Sequence, residues 1–250
     1  MRYSACIELL FAPEHPEFID RIHAAKAAGL DAVEFWKWSN KDLGAVENAL
    51  RETGLPLAGI LCEREGALTN GHDHDRIMNG VSASLEVAKR LGTKIMIVTT
   101  GDEQPGKSRA EQHASIVRAL KGAAKVVEGS GVTLALEPLN DRVDHAGYYL
   151  TSTEEGLDII DEVARPEVRL LYDIYHSAVM GEEIETVLKG RLDRVAHVHL
   201  ADMPGRGEPG SGAMDWADRL EWLEKQGYDG YVGLEYRPTI GTIEGLAFRF

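Results

Sequence analysis

An alternation constrains this chain more than any single residue does. Eight short apolar runs, YSACIE (3–8), DAVEFW (31–36), PLAGILC (56–62), TKIMIVTT (93–100), VTLALE (132–137), VRLLYD (168–173), RVAHVHL (194–200) and GYVGLE (230–235), are separated by longer segments of helical spacing. The longer segments are 16–29, 40–54, 75–92, 109–131, 152–165, 182–190 and 214–227. The short runs have the length of strands and the segments between them mostly the length of helices. Gly29, Gly54, Gly92, Gly131 and Gly227 each stand one to four residues before a strand, where a helix-to-strand loop needs a residue tolerant of left-handed φ. No linker, low-complexity tract or second compositional regime interrupts the series. Strand and helix in alternation through eight units predict an α/β chain whose residues 1–250 form one domain, a single (β/α)8 TIM barrel. An open doubly wound sheet is the alternative, and the count of eight favours the barrel.

In such a barrel the chemistry sits on the rim at the C-terminal ends of the strands. Strand residues alternate faces with period two. In VTLALE, Leu134 and Leu136 then face the helices, while Thr133, Ala135 and Glu137 face the barrel axis. In GYVGLE, Val232 and Leu234 face the helices, and Tyr231, Gly233 and Glu235 face inward. Both glutamates reach the top above a very small residue, Ala135 or Gly233, which leaves room beneath a carboxylate. Asp173 ends the sixth strand above Leu171, and His197 and His199 share one face of the seventh. Four strands thus deliver Glu137, Asp173, His199 and Glu235 to one rim.

Three converging carboxylates repel one another and call for a raised pKa or a cation. Oxygen ligands with one imidazole suit a single divalent metal, Mg²⁺ or Mn²⁺ with Co²⁺ as a further candidate, whereas structural zinc prefers sulfur and nitrogen. His197, one layer deeper, reads as a buried histidine that orients its neighbours. In GHDHDR (71–76) the acidic residues fall at a loop-to-helix junction and read as helix caps. Trp36 and Trp38 read as core filling, with a sugar-facing wall as the functional alternative. GDEQPGKS (101–108) lacks the spacing of a phosphate loop.

Composition excludes several function classes. Lys and Arg total 27 against 41 Asp and Glu, a formal charge of −14 that repels a polyanion, so nucleic acid is not an expected partner. No apolar run approaches the roughly 20 residues of a membrane span. The two cysteines, Cys6 and Cys62, and an N-terminus without signal-peptide character lead to an expectation of a cytoplasmic protein. The C-terminal segment 239–250, TIGTIEGLAFRF, has no place in the eight units; it either closes the bottom of the barrel or meets a second copy in a homo-oligomer.

Four motifs in order, LALEPLN (134–140), YDIYH (172–176), HVHLADMPGRGEPGSG (197–212) and GYVGLEYRP (230–238), resemble the hydroxypyruvate isomerase family within the xylose isomerase-like barrels, a group that includes the ketose 3-epimerases. The resemblance begins at RYSACIELLF (2–11) and runs almost to the C-terminus. It implies that Glu137, Asp173, His199 and Glu235 hold the metal, that Glu137 and Glu235 are the catalytic proton-transfer pair, and that His176 and Arg206 contact substrate oxygens. Hydroxypyruvate isomerases usually carry glutamine where this chain has His199, and ketose 3-epimerases carry histidine in an HxH strand. The segment LCEREGALTNGHDHDR (61–76) also departs from the isomerase pattern.

The implied reaction is isomerisation of a small α-hydroxycarbonyl compound, a keto acid or sugar, with hydroxypyruvate leading and a ketose 3-epimerase as alternative. Arg206, in a loop rich in Gly and Pro and expected to be flexible, offers a planar fork of donors to a substrate carboxylate or hydroxyl pair. A DNA-repair hydrolase on this barrel would need more metal ligands and a basic face. A sugar-binding barrel without turnover is the remaining rival.

Overall fold

The structure, a computed structural model, describes residues 1–249; Phe250, the end of the C-terminal segment, lies outside the described residues. Eight parallel strands close into a barrel in chain order: β1 (Arg2–Cys6), β2 (Ala32–Phe35), β3 (Leu57–Leu61), β4 (Ile95–Val98), β5 (Thr133–Leu136), β6 (Val168–Asp173), β7 (Val195–Leu200) and β8 (Tyr231–Leu234). β8 pairs with β1 in register Ser4 to Gly233, which completes the ring. The helices are α1 (Phe18–Ala27), α2 (Leu43–Thr53), α3 (His74–Leu91), α4 (Arg109–Val127), α5 (Thr153–Val163), α6 (Ile174–Met180), α7 (Ile184–Val187), α8 (Trp216–Lys225) and α9 (Thr242–Gly245). All eight strands and seven of these helices fall on the expected segments.

The two faces of each strand part as the period demands. Leu134, Leu136, Val198, Leu200, Val232 and Leu234 join the large core between barrel and helices. Ile97, Ala135 and Leu171 form a separate small cluster inside the barrel. Helix ends follow the expected chemistry: Ser108 and Glu111 form a reciprocal capping box on α4, and Gly54 and Gly92 end α2 and α3 at φ of 68° and 77°.

Two elements were not expected. α6 follows β6 without a loop, because Asp173 ends the strand and caps the helix, its Oδ1 accepting from the His176 backbone N–H at 3.0 Å. The second is α9, in a C-terminal segment that packs on the outer face of the barrel between α1 and α8: Thr242 Oγ1 accepts from the Phe11 N–H at 2.9 Å, Leu246 joins the core between barrel and helices, Phe248 packs edge-on against Tyr3 and Trp216, and Arg249 donates to the Ala28 carbonyl at 2.9 Å. Residues up to 249 thus form the outer layer of the eighth unit and do not close the bottom. The capping expected at residues 71–76 takes another form. Asp73 precedes α3 without capping it, and instead accepts from Ala67 N–H at 3.0 Å and pairs with Arg76.

Candidate active site

The rim assembles as strand phase requires. One ligand atom from each of Glu137, Asp173, His199 and Glu235 lies within 4.8 Å of all the others. His199 Nδ1 is at the centre, 3.4 Å from Glu137 Oε1, 3.6 Å from Glu235 Oε2 and 3.9 Å from Asp173 Oδ2, and it makes no hydrogen bond. All four side chains are buried. Burial, then the charges of Glu235 and Asp173, push the Glu137 carboxyl up to about 7 against the pull of His199. His199 moves up as well: burial opposes its charge, but the carboxylates of Glu235 and Glu34 outweigh that. Asp173 is held down despite burial by His176, Arg206 and His199. A cluster that gathers protons to relieve its own repulsion fits a divalent cation, which would take their place.

Beneath the cluster lies a carboxylate that the sequence reading did not single out. Glu34, fully buried on β2, has Oε1 2.9 Å from His199 Nε2 and Oε2 2.8 Å from His197 Nε2, and also accepts from Ser4 Oγ at 2.9 Å. A carboxylate only accepts, so His197 presents Nε2–H to Oε2, while His199 Nε2 meets Oε1 in a close charge contact that lacks hydrogen-bond geometry. A neutral His199 with its proton at Nε2, beside this carboxylate, turns its Nδ1 lone pair to the cluster, the usual arrangement behind a metal-binding histidine. Gly233 makes room for this pair: a Cβ there would come within 2.7 Å of His199 Cδ2 and against Glu34. The signal was available, since Glu34 shares the inward phase of β2 with Trp36.

Trp36 faces the site, its Nε1–H donating to Glu235 Oε1 at 2.7 Å, while Trp38 packs outward with its Nε1–H on Ser84 Oγ. His176 is neutral and of defined tautomer. Asn140 Oδ1 accepts from Val143 and Asp144 N–H, which fixes its amide; Nδ2 then donates to His176 Nδ1 at 2.7 Å, joined by the Asn140 backbone N–H at 3.1 Å. His176 Nε2–H is left without a partner at the pocket wall. Burial lowers its pKa and keeps it uncharged.

Arg206 reaches the rim but is not free. Its Nη2 donates to Glu235 Oε2 and its guanidinium lies 5.3 Å from the Tyr175 ring centre, with Nε buried and unpartnered. Nor is its loop left to wander. Asp202, buried, accepts from the N–H groups of Met203, Gly210, Gly212 and Met214, and Glu208 accepts from Thr239. The structure therefore brings together all six residues singled out from the sequence. They line or underlie a cavity of about 510 Å³ with Trp36, Lys37, Thr99, Asp144 and Arg237 on its walls.

Residues 22–248 match the xylose isomerase-like TIM barrel family. The chain belongs to that family. Hydroxypyruvate isomerase of Escherichia coli is 30% identical over 98% of this chain and 97% of its own length. A putative hydroxypyruvate isomerase of Mus musculus is 34% identical, covering 99% and 94%. Among solved structures, a Brucella melitensis protein described as AP endonuclease, family 2, superposes with a TM-score of 0.93 at 26% identity over 99% of this chain and 97% of that one. This xylose isomerase-like barrel is an enzyme of the isomerase class, and its buried acidic and histidine cluster fits a divalent metal. No helix among the described residues is long and apolar enough to cross a membrane.

Proposed function

We propose that this barrel is a metal-dependent isomerase that moves a proton between adjacent carbons of a small α-hydroxycarbonyl compound through an enediolate, with hydroxypyruvate to tartronate semialdehyde as the leading reaction. The observation that carries the reading is the unpartnered Nδ1 of His199 amid the carboxylates of Glu137, Asp173 and Glu235. These four would hold one Mg²⁺ or Mn²⁺, and a bound cation would supply the Lewis acidity that lowers the energy of the enediolate.

The remaining work falls to the side chains. In hydroxypyruvate a proton leaves C3 and one returns to C2, while the hydroxyl hydrogen passes from O3 to O2. Glu137 and Glu235, from strands on different sides of the ring, are the pair that takes the first proton and returns the second. His176 Nε2–H donates to a substrate oxygen where negative charge develops, and its neutral state keeps that donor a poor acid. Arg206 can exchange part of its contact with Glu235 for a substrate carboxylate, its free Nε being one more donor. The acidic surface, with a net charge of −14, speaks against a DNA substrate.

A ketose 3-epimerase is the second reading. It is favoured by His199 in its HxH strand and by a cavity of about 510 Å³, ample for a sugar. Proton NMR in D₂O on the Mg²⁺ form, offering hydroxypyruvate and free ketoses in parallel, separates the two. Deuterium entering carbon beside the carbonyl, abolished by chelation, is expected; absence of exchange with every compound while metal stays bound would overturn both.

A further inference from the structure

Three carboxylates face one another on the rim, but they are not held alike. Glu235 accepts from the Trp36 indole and from Arg206, and Asp173 accepts from the His176 backbone N–H. The Glu137 carboxylate accepts no hydrogen bond among the described residues, and its contact with His199 Nδ1 is 3.4 Å long. Its place is therefore set by its backbone.

That backbone is held by a side chain from another loop. β4 and β5 pair in register Val98 to Leu136, and the Glu137 N–H donates to the Val98 carbonyl at 2.9 Å. The next bond of a parallel ladder would run from the Thr100 N–H to the Glu137 carbonyl. The hydroxyl of Tyr148 stands between the two instead: it accepts from the Thr100 N–H at 2.7 Å and donates to the Glu137 carbonyl at 3.0 Å. An N–H only donates and a carbonyl only accepts, so the phenol is fixed in both roles. Tyr148 is buried, and burial pushes its phenol up, so it keeps the proton it donates. The chain that carries it is clamped in turn. The loops after β4 and β5 run antiparallel here, with the Glu103 N–H on the Gly147 carbonyl at 2.9 Å and the Tyr149 N–H on the Gly101 carbonyl at 3.2 Å.

We infer that Tyr148 is a positioning residue: its hydroxyl is an inserted rung between β4 and β5 and sets where the Glu137 carboxylate stands over the substrate. Without the hydroxyl, the Thr100 N–H and the Glu137 carbonyl either stay buried and unpaired or close on each other. Closure replaces two hydrogen bonds in series by one of about 2.9 Å and draws Glu137 toward β4 by on the order of 1 Å or more. A misplacement of about 1 Å costs up to about 10²-fold in rate. This rests on the proton-transfer reading above, in which Glu137 moves a proton.

The test is steady-state turnover of hydroxypyruvate, or of the ketose that exchanges deuterium, by the Mg²⁺-loaded wild type, Tyr148→Phe and Tyr228→Phe. Tyr228 is the control: its hydroxyl also donates to a strand carbonyl, that of Tyr231 at 2.7 Å, but at the opposite end of the barrel. Both variants should stay folded by circular dichroism and melt somewhat lower. Tyr148→Phe should lower kcat about 10- to 100-fold, with KM and Mn²⁺ affinity within about threefold of the wild type. With substrate deuterated at the carbon that loses its proton, its isotope effect on kcat should be at least as large as that of the wild type; a smaller one would place the loss in another step and overturn the inference. Tyr228→Phe should keep wild-type kcat, and an equal loss there would mark a general loosening of the barrel and overturn it as well. A loss of Mn²⁺ affinity as large as the loss of kcat would do the same, since the hydroxyl would then serve metal holding alone. The proton-transfer reading fails if the wild type exchanges no deuterium; this inference fails alone if the wild type exchanges and Tyr148→Phe turns over at the same rate.

Discussion

Replacing Glu34 by glutamine tests the least visible part of the site, a carboxylate that touches no substrate. Glu34 spans two imidazoles, with 2.9 Å to His199 Nε2 and 2.8 Å to His197 Nε2. Glutamine has the same size but only one acceptor oxygen, and its amide donor would confront the second imidazole N–H. If His199 is the one left facing the amide, its proton moves to Nδ1 and blocks the lone pair meant for the metal. Loss of such a partner costs about 10- to 100-fold in metal affinity, which is about 1.4 to 2.8 kcal/mol. The assay is titration of metal-free protein with Mn²⁺, counting free ion by electron paramagnetic resonance, with circular dichroism confirming the barrel. A folded Glu34→Gln protein that binds Mn²⁺ as tightly as the wild type would refute the claim that Glu34 sets the His199 tautomer.

Glu137→Gln and Glu235→Gln should each leave a folded barrel with deuterium exchange reduced by about 10²- to 10⁴-fold; near-full exchange in either removes that residue from the proton-transfer pair. The metal-free chain holds the Glu137 proton up to about pH 7, whereas the unfolded chain releases it near the ordinary carboxylate value of about 4.3. Stability of the metal-free protein is therefore lost as pH rises through that window, and thermal unfolding should show a larger Mg²⁺-induced gain at pH 8 than at pH 5.5. Equal gains would contradict the assignment. Gly233→Ala drives a methyl against His199 and Glu34, and overpacking of about 1–3 kcal/mol should lower the melting temperature and weaken Mn²⁺ binding together. An unchanged melting curve would show that the space is not needed.

Strand phase made most of this site legible. Period two on β5 and β8 puts Glu137 and Glu235 on the inner face, and the same count on β6 and β7 puts Asp173 and His199 beside them. Glu34 was legible by that rule too, but an acidic residue before Phe35 and Trp36 reads as ordinary edge polarity until the barrel closes and sets β2 opposite the histidines. α6 was hidden because helices are normally announced by a cap after the strand, and here the cap is the strand's last residue, Asp173. The Arg206 loop reads as flexible from its Gly and Pro content; its order comes from one buried side chain, Asp202, whose four backbone contacts reach as far as twelve residues along the chain.

Asp173 divides its labour between its two oxygens, and this bears on coordination number. Oδ1 is spent on the first turn of α6, which leaves only Oδ2 turned toward the cluster. Glu235 is likewise restricted, with Oε1 held by the Trp36 indole and Oε2 on the cluster side. Neither carboxylate can grip an ion with both oxygens without giving up a bond already made. With His199 and Glu137 they would make up the set that holds a divalent ion, and an ion that took one atom from each would have places left for substrate oxygens. A carbonyl and the hydroxyl on the next carbon would be able to fill such places together, and the cap of a short helix would then bear on how the proposed substrate is held.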